Sequence, residues 1–146
     1  MKIYKSIDIE EEVRQALELY LNVYCRPLPA EYSLPNILVS QVGGSDSQTI
    51  DTFSVVIDSR AETEAEALDY LNQATALLKA IAKEQTTAMR HVTVNSIGSW
   101  GNDPVRPDLA MCSARLEIVA HQREMEAEQQ YRRIVTEEVS YIIAKI

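Results

Sequence analysis

The chain has 146 residues, 46% of them hydrophobic, and a formal net charge of -8, a length that lets one core bury ~70% of the unfolded surface. One folded unit is therefore expected, and disorder of the whole chain is not. The acidic charge is spread along the sequence, no basic stripe of a nucleic-acid reader is present, no apolar run approaches the ~20 residues of a membrane span, and residues 1–9 lack the apolar core of a secretion signal, so the expected setting is cytosolic synthesis with no membrane partner and no sequence-specific nucleic-acid partner.

In chain order, residues 8–24 place Val13, Ala16, Leu17, Tyr20, Leu21 and Tyr24 at helical spacing. Ser6 or Asp8 serves as cap, and Glu10, Glu11 and Glu12 lie at the positive end of the helix. Pro27 and Pro29 stop this helix and require an extended connector over residues 26–35. Residues 36–42 read as a strand. Gly43, Gly44, Ser45, Asp46 and Ser47 then supply turn chemistry, so residues 43–49 are expected to reverse the chain. Over residues 50–58, Phe53, Val55 and Ile57 alternate onto one face of a strand. Thr63 followed by Glu66 predicts a capping box, after which Ala67, Tyr70, Leu71, Ala74, Leu77, Leu78 and Ile81 form one helical stripe.

A strand is expected over residues 91–97, where Val92 and Val94 alternate with polar neighbours. Residues 98–108, with Gly98, Gly101, Pro104 and Pro107, read as a loop. Residues 109–121 are the longest strand candidate. On it Ala110, Cys112, Ala114, Leu116, Ile118 and Ala120 make a small apolar row suited to packing under helices. Leu109, Met111, Ser113, Arg115, Glu117, Val119 and His121 make the opposite row, too apolar for free solvent and too charged for a core, as interface surfaces often are. Beyond His121 the composition shifts to Glu, Gln, Arg and Met, and a third helix is expected over residues 123–145 with Tyr131, Ile134, Val135, Val139, Ile142, Ile143 and Ile146 as its stripe. The predicted fold is α+β, a four-stranded mainly antiparallel sheet with two helices on one face and an additional C-terminal helix. It divides into a domain over residues 1–122 and an amphipathic extension over 123–146.

Chemistry is sparse in this sequence. Cys25 and Cys112 belong to no paired motif, and His91 and His121 have no metal-ligand spacing, so the thiols read as reduced packing residues and no metal is expected. No phosphate loop, dinucleotide fingerprint or nucleophile elbow occurs. Asp103, Arg106 and Asp108 could face His91 as an acid and base set, but one histidine without a nucleophile or metal gives it nothing to act with. The set reads as a solvated loop whose local pairs contribute little. Trp100 is either folded back as a lid on the core or offered outward as a binding anchor. Glu62, Glu64 and Glu66 are the acidic first turn of a helix. No catalytic residue, no cofactor and no enzymatic activity are expected.

The order of these elements resembles the tail terminator proteins of long-tailed bacteriophages, also called tail completion or minor tail proteins. The resemblance spans about residues 8–121. It rests on an N-terminal helix ending before Cys25, Arg26, Pro27, Leu28, Pro29, then Asn36, Ile37, Leu38, Val39, Ser40 running into Gly43, Gly44, Ser45, Asp46. Thr52, Phe53, Ser54, Val55, Val56, Ile57, Asp58, Ser59, Arg60 follow, with the alanine-rich acidic stretch 62–67, the loop 100–108 and the long strand 111–121. The resemblance implies a virion protein made in the bacterial cytoplasm that forms a ring with itself, as a hexamer, on the head-proximal end of the tail tube and joins it to a neck or head-completion protein. The extension after Arg123 goes beyond that pattern. Under this reading Met111, Arg115, Glu117, Val119 and Ile142 form a subunit interface, and Gly43, Gly44, Asp46, Trp100, Asp103 and Arg106 touch the tube or neck. The acidic lumen of such a ring would repel DNA phosphate, though solubility explains the charge as simply. A head-completion or stopper protein of the neck, or a cytosolic ligand-binding regulatory domain with an enclosed pocket, are the alternatives.

Overall fold

The computed structural model describes residues 1–127. Its elements are β1 (Lys2–Lys5), α1 (Ile9–Leu17), β2 (Val23–Cys25), β3 (Asn36–Asp46), β4 (Ile50–Ala61), α2 (Glu64–Glu84), β5 (Met89–Asn102), β6 (Ala110–His121) and β7 (Arg123–Glu126). Five strands form one mixed sheet in the order β2-β3-β4-β6-β5, while β1 and β7 pair in a separate ribbon. The α+β character stands, with two helices among the described residues. The expected four-stranded antiparallel sheet is overturned by a fifth strand, β2, which joins parallel to β3, and by the second sheet.

Both helices cover one face. Val13 and Leu17 of α1 and Leu71, Ala74 and Leu78 of α2 are wholly buried with Val39, Val55, Ile57, Cys112, Leu116 and Ile118 of the sheet. The small apolar row expected on β6 is therefore core, each large side chain there contributing ~1.5–3 kcal/mol of burial. Thr63 caps α2, its Oγ1 accepting from the Glu66 N–H at 3.2 Å. That is the hydroxyl half of the expected box, and among the described residues no return bond from the Glu66 carboxylate accompanies it.

The differences from expectation have local causes. α1 stops at Leu17, seven residues short of Tyr24, because Asn22 is drawn to other partners. Its N–H donates to Tyr70 Oη at 2.6 Å, its Nδ2 donates to the carbonyls of Ser33 and Pro35, and its own carbonyl accepts from Ile37. Val23–Cys25 then enters the sheet. β3 runs through both glycines to Asp46, with a bulge between Gln41 and Gly43, and the reversal is confined to residues 47–49. Gly44 has a φ of 154° and a Cβ there would meet Thr52 O at 2.6 Å, so the glycine serves close strand approach rather than a turn. β5 likewise continues to Asn102, absorbing Gly98 (φ 80°) as a bulge.

The expected helix over 123–145 begins instead as β7. Arg123–Glu126 pairs with Lys2–Lys5, with Lys2 Nζ 3.4 Å from Glu124 and the N-terminal ammonium 3.1 Å from Glu126 at one end of the ribbon and Lys5 opposite Arg123 at the other. The remainder of that helix, Ile142 included, lies outside the described residues.

Candidate functional site

The face of the sheet away from the helices carries rows set by strand register. Val56 stands opposite Arg115, Ser54 opposite Glu117, Thr52 opposite Val119 and Asp58 opposite Ser113. β5 adds Ser96, Thr93, His91 and Ser99 to the same rows. Arg115 and Glu117 are exposed, and Met111 and Val119 are half-buried. Four of the five residues expected at a subunit contact thus share one face that neither α1 nor α2 covers.

The two sets expected to touch other proteins are not brought together. Gly43, Gly44 and Asp46 lie in β3 at one end of the sheet, level with Asp51, whereas Trp100, Asp103 and Arg106 lie at the end where β4 finishes at Ala61. Ten strand steps of β4 separate Asp51 from Ala61, ~33 Å.

At the far end Asp103 is not a solvated loop residue. It is 3% exposed, and its Oδ2 accepts from Arg60 Nε at 2.6 Å. Its Oδ1 accepts from the N–H groups of Val105 and Arg106 at 2.8 and 3.1 Å. Burial alone would raise this carboxyl, but Arg60 and the two N–H donors override it and leave the group below its ordinary value. The loop over residues 103–109 is therefore pinned to β4. Arg60 Nη1 and Tyr32 Oη are both buried without a partner among the described residues. Arg106 and Asp108 make the exposed local pair expected of them, 3.0 Å apart, which holds Asp108 low and Arg106 high.

Trp100 is 48% exposed, so it is no sealed lid. It forms one wall of an open cleft of about 410 Å³ beside Glu62, Glu64, Pro107 and Met111. His91 lies at the opposite end of β5 from that loop, and the acid and base set weighed from the sequence is not assembled. Among the described residues no cluster of three or more His, Cys, Asp or Glu could hold a metal ion, and no helix is long and apolar enough to cross a membrane. Burial raises both thiols, with the Glu11 and Glu10 carboxylates adding to the effect at Cys25.

At the near end the strand edge is guarded at one residue. The Gln41 N–H donates to Glu10 Oε2 at 3.0 Å, and Arg26 Nη2 donates to the Gln41 carbonyl at 3.2 Å. Arg26 also bridges Glu10 at 2.5 Å, which lowers the Glu10 carboxyl. Beyond this plug, residues 42–46 have no strand on their outer side among the described residues. Asp46 and Asp51 are paired across the hairpin. Asp51 is buried, its Oδ1 accepting from Gln122 Nε2 at 2.8 Å and its Oδ2 from nothing among the described residues. Sequence reasoning missed Arg60 and Asp51. Both fall at the ends of an otherwise alternating strand, Asp51 in step with the buried Phe53, Val55 and Ile57 and Arg60 in step with the polar row; the charge of Asp51 on the apolar side was the one local sign of a needed partner.

No protein-family model and no curated protein matches the chain.

Proposed function

We propose that the protein is a structural virion subunit, a tail terminator that assembles with copies of itself as a ring on the head-proximal end of a phage tail tube and joins that tube to the neck. The observation carrying this reading is the uncovered sheet face, on which Met111, Arg115, Glu117 and Val119 stand among Val56, Thr52 and Ser54. A sheet of this size with both helices of the described residues on one side, and a mixed rather than fully polar second side, has the surface of a subunit that other subunits cover. The two sets of tube or neck residues at opposite ends of the sheet suit a subunit held between two different partners, with Gly43, Gly44 and Asp46 meeting one and Trp100 and Arg106 the other. The ring is a hexamer in this reading, needs no cofactor, and works in the virion after assembly in the bacterial cytoplasm.

Negative-stain imaging of the purified chain mixed with isolated tail tubes tests this directly. Rings at one tube end are the expected result, and bare tubes would refute the assignment. Arg115→Asp combined with Val119→Asp should leave a folded chain that no longer decorates tubes, because two acids then face Glu117 and Asp58 on a surface that must be covered. Binding to filled capsids in place of tubes would move the protein to the neck as a stopper.

A further inference from the structure

Among the described residues the sheet has two edge segments without a partner strand, and they lie at the same height. Gly44 is level with Phe53, Ile118 and Val92, and Asp46 with Asp51, Ala120 and Met89. The open part of β3, residues 42–46, thus matches residues 89–94 at the start of β5 on the opposite margin. β3, β4, β6 and β5 alternate in direction, so β3 and β5 run antiparallel. Two copies placed side by side about an axis along the strands would present these edges to each other as an antiparallel pair.

Their charges are also matched. Asp46 and Asp51 stand directly opposite each other, a like-charge pair that is unfavourable by itself. They line an open groove of about 260 Å³ with Ile7, Gly44 and Phe53, and into this region the buried Asp51 brings an oxygen that has no donor among the described residues. A cation is what the pair lacks. On the other edge Arg90 is the extra residue of the bulge between Met89 and His91, its side chain bonded among the described residues to the Thr87 and Met89 carbonyls. Among the described residues it forms no salt bridge.

We propose that copies of this chain join edge to edge, residues 89–94 of one copy adding as an antiparallel strand to residues 42–46 of the next, with Arg90 supplying the cation for Asp46 and Asp51. An unpaired strand edge is a template for such addition, and because the two edges differ the contact is heterologous and repeats from copy to copy. The inference rests on the self-assembly proposed above and assigns residues 42–46 to the neighbouring copy instead of the tube or neck, leaving Trp100 and Arg106 for those partners.

Sedimentation velocity on the full chain is the test, with circular dichroism to confirm folding. The wild type should self-associate. Arg90→Glu and Asp46→Lys should each weaken association by roughly tenfold or more, and the double variant R90E/D46K should recover most of the loss. Oxidation of a mixture of Ser45→Cys and His91→Cys chains should give a covalent dimer containing one of each, since Ser45 and His91 share the uncovered face at one height. A wild type that stays monomeric overturns the proposal. Single variants that associate like the wild type, or a dimer formed only between S45C chains, overturn the edge pairing while leaving self-assembly and tube binding to stand on their own results.

Discussion

The two ends of the sheet solve the same electrostatic problem differently. At the Ala61 end, a carboxylate and a guanidinium drawn from residues 60 and 103 meet 2.6 Å apart, almost wholly out of water, and two backbone N–H groups complete the acid's shell. At the opposite end two acids, Asp46 and Asp51, face each other across a hairpin, and among the described residues a side-chain amide from Gln122 alone answers one of them. At the closed end the two charges answer each other, with Arg60 Nη1 left over; at the open end, among the described residues, Asp51 Oδ2 has no donor. The difference teaches where this chain spends its charge on its own fold and where, on the pairing proposed above, it keeps charge for a second copy.

The largest effect should come from breaking the closed end. Asp103→Asn leaves the Arg60 guanidinium buried without its counter-charge and should cost ~3–5 kcal/mol in urea unfolding. The same carboxyl gives the closed end an acid limit. Its folded pKa lies below the ordinary 3.8, so its stabilisation is complete above the unfolded value and is lost as pH falls through the folded one. Melting temperature should therefore decline on acidification toward and below pH ~4 in the wild type, with the Asp103 share of that slope absent from D103N.

A smaller loss is expected at the open end from backbone alone. Gly44→Ala puts a Cβ 2.6 Å from Thr52 O at a positive φ and should destabilise by ~1–3 kcal/mol, with the Val42–Asp46 amides losing hydrogen-exchange protection first. Asp51→Asn should act the other way. It keeps an acceptor for Gln122 and removes the like-charge opposition to Asp46, so the isolated chain should gain a few tenths to ~1 kcal/mol. If D51N instead destabilised as D103N does, the two ends would not differ in kind. The least effect belongs to Arg106→Ala, whose partner Asp108 is exposed, and which should leave the unfolding midpoint unchanged.

Much of this architecture was legible from periodicity, and the misses share a cause. The alternation of Phe53, Val55 and Ile57 and the stripe from Ala67 to Leu78 each record one buried face, and both elements are present. β1, β2 and β7 are four, three and four residues long, too short to carry a period. In β2 the signal was worse than absent, because Tyr20, Leu21 and Tyr24 extend the stripe of α1 while Asn22 is held by tertiary bonds. Gly43, Gly44 and Gly98 read as breakers, yet within a sheet they admit bulges and close approach. For the site, β6 declared its mixed face openly. The partner of Asp103 did not, since Arg60 is 43 residues away and nothing local ties the two.

The plug at Gln41 has a mechanical consequence. Glu10 and Arg26 occupy the outward amide and carbonyl of that residue, so any chain zipping along this margin from the hairpin tip runs into a doorstop after five residues. Slippage past it would have to expel a carboxylate and a guanidinium from each other's grip. The brake lets the margin accept a short guest in one alignment and denies an indefinitely long one a foothold.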